Sequence, residues 1–144
     1  MAMRGDANQK AKGGKQNAGS QPLQGPRDLR AYQLAYQVAM EIFKESKAFP
    51  KDERFSLTDQ IRRSSRSVVA NLAEAFRKRR YPNMFVNKLT DADAEAAETQ
   101  VWLDFARDCG YLSMETSHRL RSDYEEVGRM LGHMINHPEK FVQR

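Results

Sequence analysis

Between residues 27 and 137, apolar side chains recur every three or four positions, and this spacing constrains the fold more than any other feature. The period places apolar side chains on one face of an α-helix. The pattern is interrupted at Pro50, Pro82, Gly110 and Pro138, residue types that mark helix ends. We therefore predict helices over residues 27–49, 51–80, 82–109 and 113–137. Long helices joined by short connections are typical of an all-α, antiparallel up-down four-helix bundle.

Composition divides the 144 residues into three parts. Residues 1–26 are rich in Gly, Gln, Asn and Lys and hold almost no large apolar side chains, which predicts a flexible, disordered basic tail. Residues 27–137 form the predicted bundle domain, and residues 138–144 form a short C-terminal tail. The sequence lacks a membrane-spanning or secretory stretch and has one cysteine, Cys109, so we expect a cytoplasmic chain without a disulfide framework.

Charge is segregated along the chain, whose formal net charge is +5. Residues 51–80 hold nine basic and four acidic side chains, whereas residues 81–110 hold two basic and six acidic ones. The predicted tail adds four basic residues against one acidic residue. A basic surface of this kind attracts an anionic partner such as nucleic acid. Alternatively, the basic second helix pairs with the acidic third helix, within one subunit or between subunits.

A polar stripe runs along the second predicted helix at spacings of three and four residues. It consists of Gln60, Arg63, Ser67, Asn71 and Glu74. One interpretation is a catalytic row, because Asn71 and Glu74 lie one turn apart. The other is a hydrogen-bonded row at a helix–helix or subunit seam, where Arg63 and Glu74 each find a partner. We favour the seam, because no metal-ligand set or activated nucleophile lies nearby in the sequence.

A second stripe on this helix, the arginine stripe, comprises Arg62, Arg66, Arg77 and Arg80, with the small Ala70 and Ala73 between them. Guanidinium groups bind phosphates through paired hydrogen bonds, and small neighbours allow a sugar-phosphate backbone to approach closely. Acidic residues of the third helix are the alternative partners, namely Asp91, Asp93, Glu95 and Glu98. The basic run at residues 77–80 is harder to neutralise, although a helix C-terminus also favours cations by itself. The candidate nucleic-acid-binding residues are therefore Arg62, Arg66, Arg77, Lys78, Arg79 and Arg80.

The sequence contains no phosphate loop, nucleophile elbow or zinc motif, so we predict no cofactor and no enzymatic activity. His133 and His137 share a helical face but have no third ligand in register, so we predict no metal site. Two aromatic pairs at helical spacing belong either to the core or to a subunit seam. These pairs are Tyr32 with Tyr36, and Trp102 with Phe105.

Several short motifs together resemble the 23S rRNA intervening-sequence protein family. The most specific one runs from Leu57 to Glu74 and reads LTDQIRRSSRSVVANLAE. The other matching motifs are Arg27-Asp28-Leu29 with Tyr32-Gln33, Phe49-Pro50 with Glu53, Ala97-Glu98-Thr99-Gln100, Gly110-Tyr111-Leu112 and Glu126-Val127-Gly128-Arg129-Met130-Leu131. The resemblance covers residues 27 to 136, and the basic tail lies outside it.

The resemblance implies a bacterial four-helix bundle that assembles as a ring-like homopentamer, without catalytic activity. Some family members are encoded in insertions within large-subunit rRNA genes. The accessory proteins of diversity-generating retroelements are similar in fold, and they work with a reverse transcriptase and its RNA. The resemblance therefore carries more information about the fold than about the molecular role.

Two functions remain as alternatives. The first is a non-enzymatic, oligomeric protein that binds structured RNA or other nucleic acid through the basic second helix, with Lys10, Lys12 and Lys15 as additional cations. The second is an oligomeric adaptor or scaffold that docks a protein partner such as a reverse transcriptase. Neither alternative involves a membrane.

Overall fold

The computed structural model describes residues 22–142, which form four α-helices, three short 3-10 helices and no strand. The α-helices are α1 (Arg30–Ser46), α2 (Leu57–Arg77), α3 (Pro82–Asp108) and α4 (Met114–Asn136). The 3-10 helices span Pro26–Asp28, Lys51–Glu53 and Pro138–Lys140. Residues 1–21, which make up most of the predicted tail, and residues 143–144 lie outside the described range, so the prediction of disorder there is untested.

The helices pack in the order of an up-down bundle. Each α-helix packs against its neighbour in sequence, and α4 closes the bundle against α1. Contacts between helix ends show the antiparallel arrangement: Ser46 at the end of α1 meets Arg62 early in α2. Likewise, Phe85 near the start of α3 contacts Phe141 just beyond α4. The all-α four-helix prediction is confirmed. None of the helices within residues 22–142 is long and apolar enough to cross a bilayer.

The core residues of α3 and α4 are those that the spacing predicts. In α3 the buried set is Phe85, Leu89, Ala92, Ala96, Thr99, Leu103 and Ala106. In α4 the apolar residues that recur every three or four positions are all buried, together with Ser117; they are Leu120, Tyr124, Val127, Leu131 and Met134. The large apolar residues of α2 are also buried, apart from Val69, which is only partly buried against the core. A regular spacing therefore located the bundle interior correctly in three of the four helices.

Helix α1 buries mainly small side chains and leaves several of its large apolar ones outside the core. Its buried line consists of Ala31, Ala35, Val38, Ala39 and Ile42 together with Ser46. Tyr36 and Met40 are exposed instead, and Tyr32 is only partly buried. Small alanines let α1 approach the bundle closely, so they occupy the core face and the larger side chains point outward.

Helix boundaries differ from the predicted ones at both ends of α1 and at both ends of α2, which begins at Leu57 rather than at residue 51. Leu29 is extended, with φ −78° and ψ 126°, and it separates the first 3-10 helix from α1. Beyond Ser46 the chain turns through i→i−3 hydrogen bonds rather than continuing the helix to Phe49. Helix α2 likewise ends at Arg77, and the chain turns through Lys78 to Arg80. Proline and terminal turns shorten helices that apolar spacing alone extends too far.

The connection between α3 and α4 contains Gly110, which the sequence predicts at a helix end. Gly110 has φ 81°, a left-handed conformation that glycine adopts at little cost. The Gly110 N–H donates to Arg107 O at 3.0 Å and the Tyr111 N–H donates to Ala106 O at 2.8 Å, which is the Schellman pattern. Ser113 then caps α4, because its Oγ accepts the N–H of Thr116 at 3.0 Å.

The α3–α4 connection is tied to the α1–α2 connection through Glu53. The Tyr111 hydroxyl donates to Glu53 Oε2 at 2.9 Å, and the Ser56 hydroxyl donates to Glu53 Oε1 at 2.6 Å. The hydrogen bond from Ser56 and then the one from Tyr111 lower the pKa of Glu53 below its usual range. This carboxylate therefore joins two connections that are distant in sequence at one end of the bundle.

Candidate nucleic-acid interface

The polar stripe of α2 faces α3 and forms the seam that the sequence favoured. Arg63 pairs with Glu95 at 3.4 Å and also with Glu98, and the hydrogen bond to Glu98 is the main cause that raises the pKa of Arg63 above its usual value. The Trp102 Nε1–H donates to the same Glu98 carboxylate at 3.1 Å. The predicted partner for Arg63 is thus found, and two carboxylates of α3 offset its positive charge.

The second half of the polar stripe is organised by Lys88 of α3, which the sequence did not single out. Its Nζ lies 3.4 Å from Glu74 Oε1 and 3.5 Å from Asn71 Oδ1. The Asn71 side-chain amide in turn donates to Ser67 O at 2.9 Å. Gln60, the remaining member, is partly buried near Trp102 and lines a hollow with it. The stripe therefore joins helices through hydrogen bonds.

Arg62 and Arg66 turn toward α1, so the alternative in which they pair with α3 carboxylates is not found within the chain, and pairing between subunits stays a prediction. The Arg62 Nε–H donates to Ser46 Oγ at 2.8 Å. Its guanidinium carbon lies 4.8 Å from the centroid of the Phe43 ring, and that of Arg66 lies 5.6 Å from it. Both are cation–π contacts. They hold the positive charges at the α1–α2 surface without neutralising them.

Beside these arginines lies a shallow groove between α1 and α2, which we call the α1–α2 groove. Its volume is about 360 Å³, and it is lined by Tyr36, Met40, Phe43, Arg66 and Ala70 among others. Tyr36 is 53% exposed, and its ring stacks against Tyr32 with centroids 6.1 Å apart. Tyr36 therefore does not belong to the core.

The basic run at residues 77–80 splits into one buried and three accessible side chains. Arg79 is only 5% exposed, its Nε–H donates to Phe76 O at 3.1 Å, and its guanidinium lies 3.7 Å from the Phe76 ring centroid. Burial lowers its pKa, an effect that Asp28 partly offsets. Arg79 is therefore a structural residue within this chain, which corrects its assignment as a phosphate contact. The turn after α2 folds it back onto the helix end, and a count of consecutive cations does not reveal this.

Arg77, Lys78 and Arg80 remain accessible at the end of α2. Arg77 and Arg80 are exposed and Lys78 is partly so, and none forms an ion pair with a carboxylate of residues 22–142. In these positions three positive charges face solvent together. The structure keeps Arg77, Lys78 and Arg80 as the candidate phosphate contacts.

The bundle is polarised along its axis, a feature that the linear sequence did not reveal. The end that contains the start of α1, the end of α2 and the end of α4 consists of residues 22–30, 77–86 and 126–142. We call it the cationic end, because it holds eight basic and three acidic side chains. The opposite end, residues 44–60 and 104–119, holds six basic and seven acidic ones. Arg27 and Arg30, which no motif singled out, add to the cationic end.

No group of His, Cys, Asp and Glu side chains among residues 22–142 is arranged to hold a metal ion. The rings of His133 and His137 lie 5.0 Å apart between centroids and are therefore in contact. His137 Nδ1 also lies 3.6 Å from Glu139 Oε1. These histidines belong to the cationic end, where they form part of an aromatic cluster.

These features define an antiparallel four-helix bundle with a hydrogen-bonded α2–α3 seam and one cationic end. The chain matches the 23S rRNA-intervening sequence protein family over residues 27–133, and it belongs to that family. None of the curated proteins matches this sequence. The family match begins within the first 3-10 helix and ends within α4, so it covers most of the bundle and excludes the basic tail.

A solved structure supports the assignment. The chain is similar to a protein of unknown function from the S23 ribosomal protein family of Bacteroides thetaiotaomicron, with a TM-score of 0.67 and 28% sequence identity. The similarity covers 74% of this chain and 95% of that one. The two proteins therefore share their fold across nearly the whole of the relative.

Proposed function

We propose that this protein is a non-enzymatic, oligomeric RNA-binding protein whose cationic end contacts the phosphates of a structured RNA. The observation that carries the proposal is the group formed by Arg77, Lys78 and Arg80, which no carboxylate of residues 22–142 neutralises. Sequence-independent affinity for nucleic acid comes mainly from cations that contact phosphates and release counterions. The family name, which refers to sequences intervening in 23S rRNA, favours RNA as the nucleic acid.

The proposed assembly is a ring-like homopentamer built from two different apolar surfaces. One is the α1–α2 groove, which carries Tyr36 and is bordered by Arg66. The other, which we call the α3 ridge, contains Phe55, Val101 and Phe105, and Phe105 is 54% exposed. Contact between two unlike surfaces generates a closed ring when the rotation closes. A cyclic ring places every cationic end on the same rim, where several copies contact one RNA.

The RNA-binding proposal is tested by neutralising the three accessible cations. The variant Arg77→Ala/Lys78→Ala/Arg80→Ala should bind a structured RNA about tenfold or more weakly at moderate salt. The matched control is Lys44→Ala/Lys47→Ala/Lys51→Ala, which removes the same charge from exposed positions at the opposite end. Fluorescence anisotropy measures both affinities. Equal weakening by the two variants would show that net charge alone, rather than the cationic end, governs binding.

A second candidate function is that of an adaptor, in which the α3 ridge docks a protein such as a reverse transcriptase. The exposure of Phe55, which is 85% accessible, favours a partner at this surface. A complex between the purified protein and a purified reverse transcriptase that survives nuclease treatment would support this role. A complex that dissociates once the RNA is digested would leave RNA binding as the function.

A further inference from the structure

A cleft at the cationic end lies between the start of α1 and the last turns of α4. Its volume is about 430 Å³, within the range of small-molecule sites. Leu29, Met130, Met134 and Phe141 supply apolar walls, and Arg30 and His133 lie at the same cleft. Leu23 lines it too, and Leu23, Met134 and Phe141 lie outside residues 27–133, so part of the cleft is formed by segments beyond the family match.

Two aromatic rings form one side of the cleft. The His133 ring meets the Phe141 ring edge to face, with centroids 6.1 Å apart and an angle of 82° between the planes. His133 is exposed, and its other ring neighbour is His137. An exposed ring beside apolar walls is the kind of surface on which a planar base stacks.

Of the two arginines at the cleft, only Arg30 has no acidic partner within residues 22–142. Arg129 is paired with Glu126, with Nη2 and Oε1 2.6 Å apart. The Asp28 carboxylate accepts backbone N–H groups from Gln24 at 2.7 Å and Gly25 at 3.1 Å. Both acids at the cleft are therefore engaged, whereas Arg30 forms no ion pair within residues 22–142.

The cleft lies on the same end of the bundle as the proposed phosphate contacts, and one of its walls packs against α2. Asp28 lines it, and the first 3-10 helix, which ends at Asp28, packs against α2. Asp28 also lies within electrostatic range of Arg79, whose neighbours in the chain are Lys78 and Arg80. A nucleotide in the cleft would thus have Arg30 beside it, and the cations at the end of α2 would lie at the same end of the bundle.

We propose that this cleft binds one unpaired base of the RNA, which stacks on His133 while the adjoining phosphates contact Arg30 and the end of α2. The inference rests on the proposed RNA-binding function and names the part of the RNA that is recognised. A base within a duplex is stacked on both faces and cannot enter such a cleft, whereas a base in a loop or at an end can. The protein therefore prefers RNA with unpaired nucleotides.

The test compares two RNA probes with equal numbers of phosphates, an unstructured oligonucleotide and a blunt-ended duplex. His133→Ala should weaken binding of the unstructured probe at least about fivefold, because an unpaired base loses the ring on which it stacks. Binding of the duplex should stay unchanged, because its bases are already stacked on both faces. His133→Phe keeps an aromatic ring and should restore affinity to within about twofold. The matched control is His118→Ala, an exposed histidine on the same helix at the opposite end, which should change neither affinity.

The outcomes separate the inference from the function on which it rests. If the wild-type protein binds neither probe, the proposed RNA-binding function is wrong. If it binds RNA and the Arg77→Ala/Lys78→Ala/Arg80→Ala variant binds more weakly, but His133→Ala affects neither probe or both equally, the cleft inference alone is wrong. A lower oligomer mass for His133→Ala in light scattering would also overturn it, because the cleft would then hold a second copy of the chain.

Discussion

At the scale of single residues, neighbouring arginines at the end of α2 have opposite roles. Arg79 folds back onto Phe76, while Arg80 faces solvent. Arg79→Ala should destabilise the fold by about 1–3 kcal/mol, because it removes a buried stem, a cation–π contact and a hydrogen bond. Arg80→Ala should change stability by less than about 0.5 kcal/mol but weaken RNA binding. Urea unfolding measures the first effect, and similar midpoints for the two variants would contradict the assignment.

The Glu53 carboxylate predicts a pH dependence at the opposite end of the bundle. Its pKa is lowered in the folded state by hydrogen bonds from Ser56 and Tyr111, so the unfolded chain binds its proton more tightly. The stabilisation is therefore complete above about pH 5 and is lost as pH falls through the lowered folded-state pKa. Glu53→Gln should flatten the fall in unfolding free energy between about pH 5 and pH 3. An unchanged slope for this variant would show that the carboxylate contributes nothing.

At the scale of elements, replacing glycine by alanine should have opposite effects at two positions, one in the α3–α4 connection and one inside α4. Gly110→Ala should destabilise the fold by about 1–2 kcal/mol, because φ is 81° there. Gly132 lies inside α4, and a Cβ added there meets no atom within 4 Å. Gly132→Ala should therefore stabilise the fold by about 0.5–1 kcal/mol. Thermal unfolding of both variants tests the pair, and destabilisation by both would contradict the described geometry.

The elements also show what the sequence could predict and what it could not. Regular apolar spacing in α3 identified every buried residue, because one continuous face meets the core. In α1 the same reasoning placed Tyr36 in the core or at a seam, and its exposure excludes the core. Spacing identifies the apolar faces of a helix but does not show which of two neighbouring faces packs on the core. The burial of Arg79 depends on a terminal turn, and a helical projection omits that turn.

At the scale of the whole molecule, the net charge of +5 became informative only through its axial distribution. The antiparallel order brings the start of α1, the end of α2 and the end of α4 to one end. Residues that are far apart in the sequence, such as Arg30 and Arg80, thereby join one surface. The ion pairs between Arg63 and the α3 carboxylates offset part of the positive charge of α2, so the net positive charge of the described residues is concentrated at the cationic end.

The proposed ring makes a prediction about mixtures of variants. Tyr36→Glu should disable the α1–α2 groove, and Phe105→Glu should disable the α3 ridge, so each variant alone should be a monomer. An equal mixture should form a one-to-one dimer, because each variant retains the surface that the other lacks. Light scattering measures the masses. If Phe105→Glu alone still forms a dimer, the groove pairs with itself and the ring arrangement is wrong.

The salt dependence of RNA binding tests the central claim most directly. The logarithm of the binding constant should fall linearly with the logarithm of salt concentration for the wild-type protein. In the Arg77→Ala/Lys78→Ala/Arg80→Ala variant the slope should be smaller in magnitude by about 2 to 3, since three phosphate contacts are lost. The control variant Lys44→Ala/Lys47→Ala/Lys51→Ala should retain the wild-type slope. Binding that is insensitive to salt, or equal slopes for the wild-type protein and the Arg77→Ala/Lys78→Ala/Arg80→Ala variant, would contradict the account.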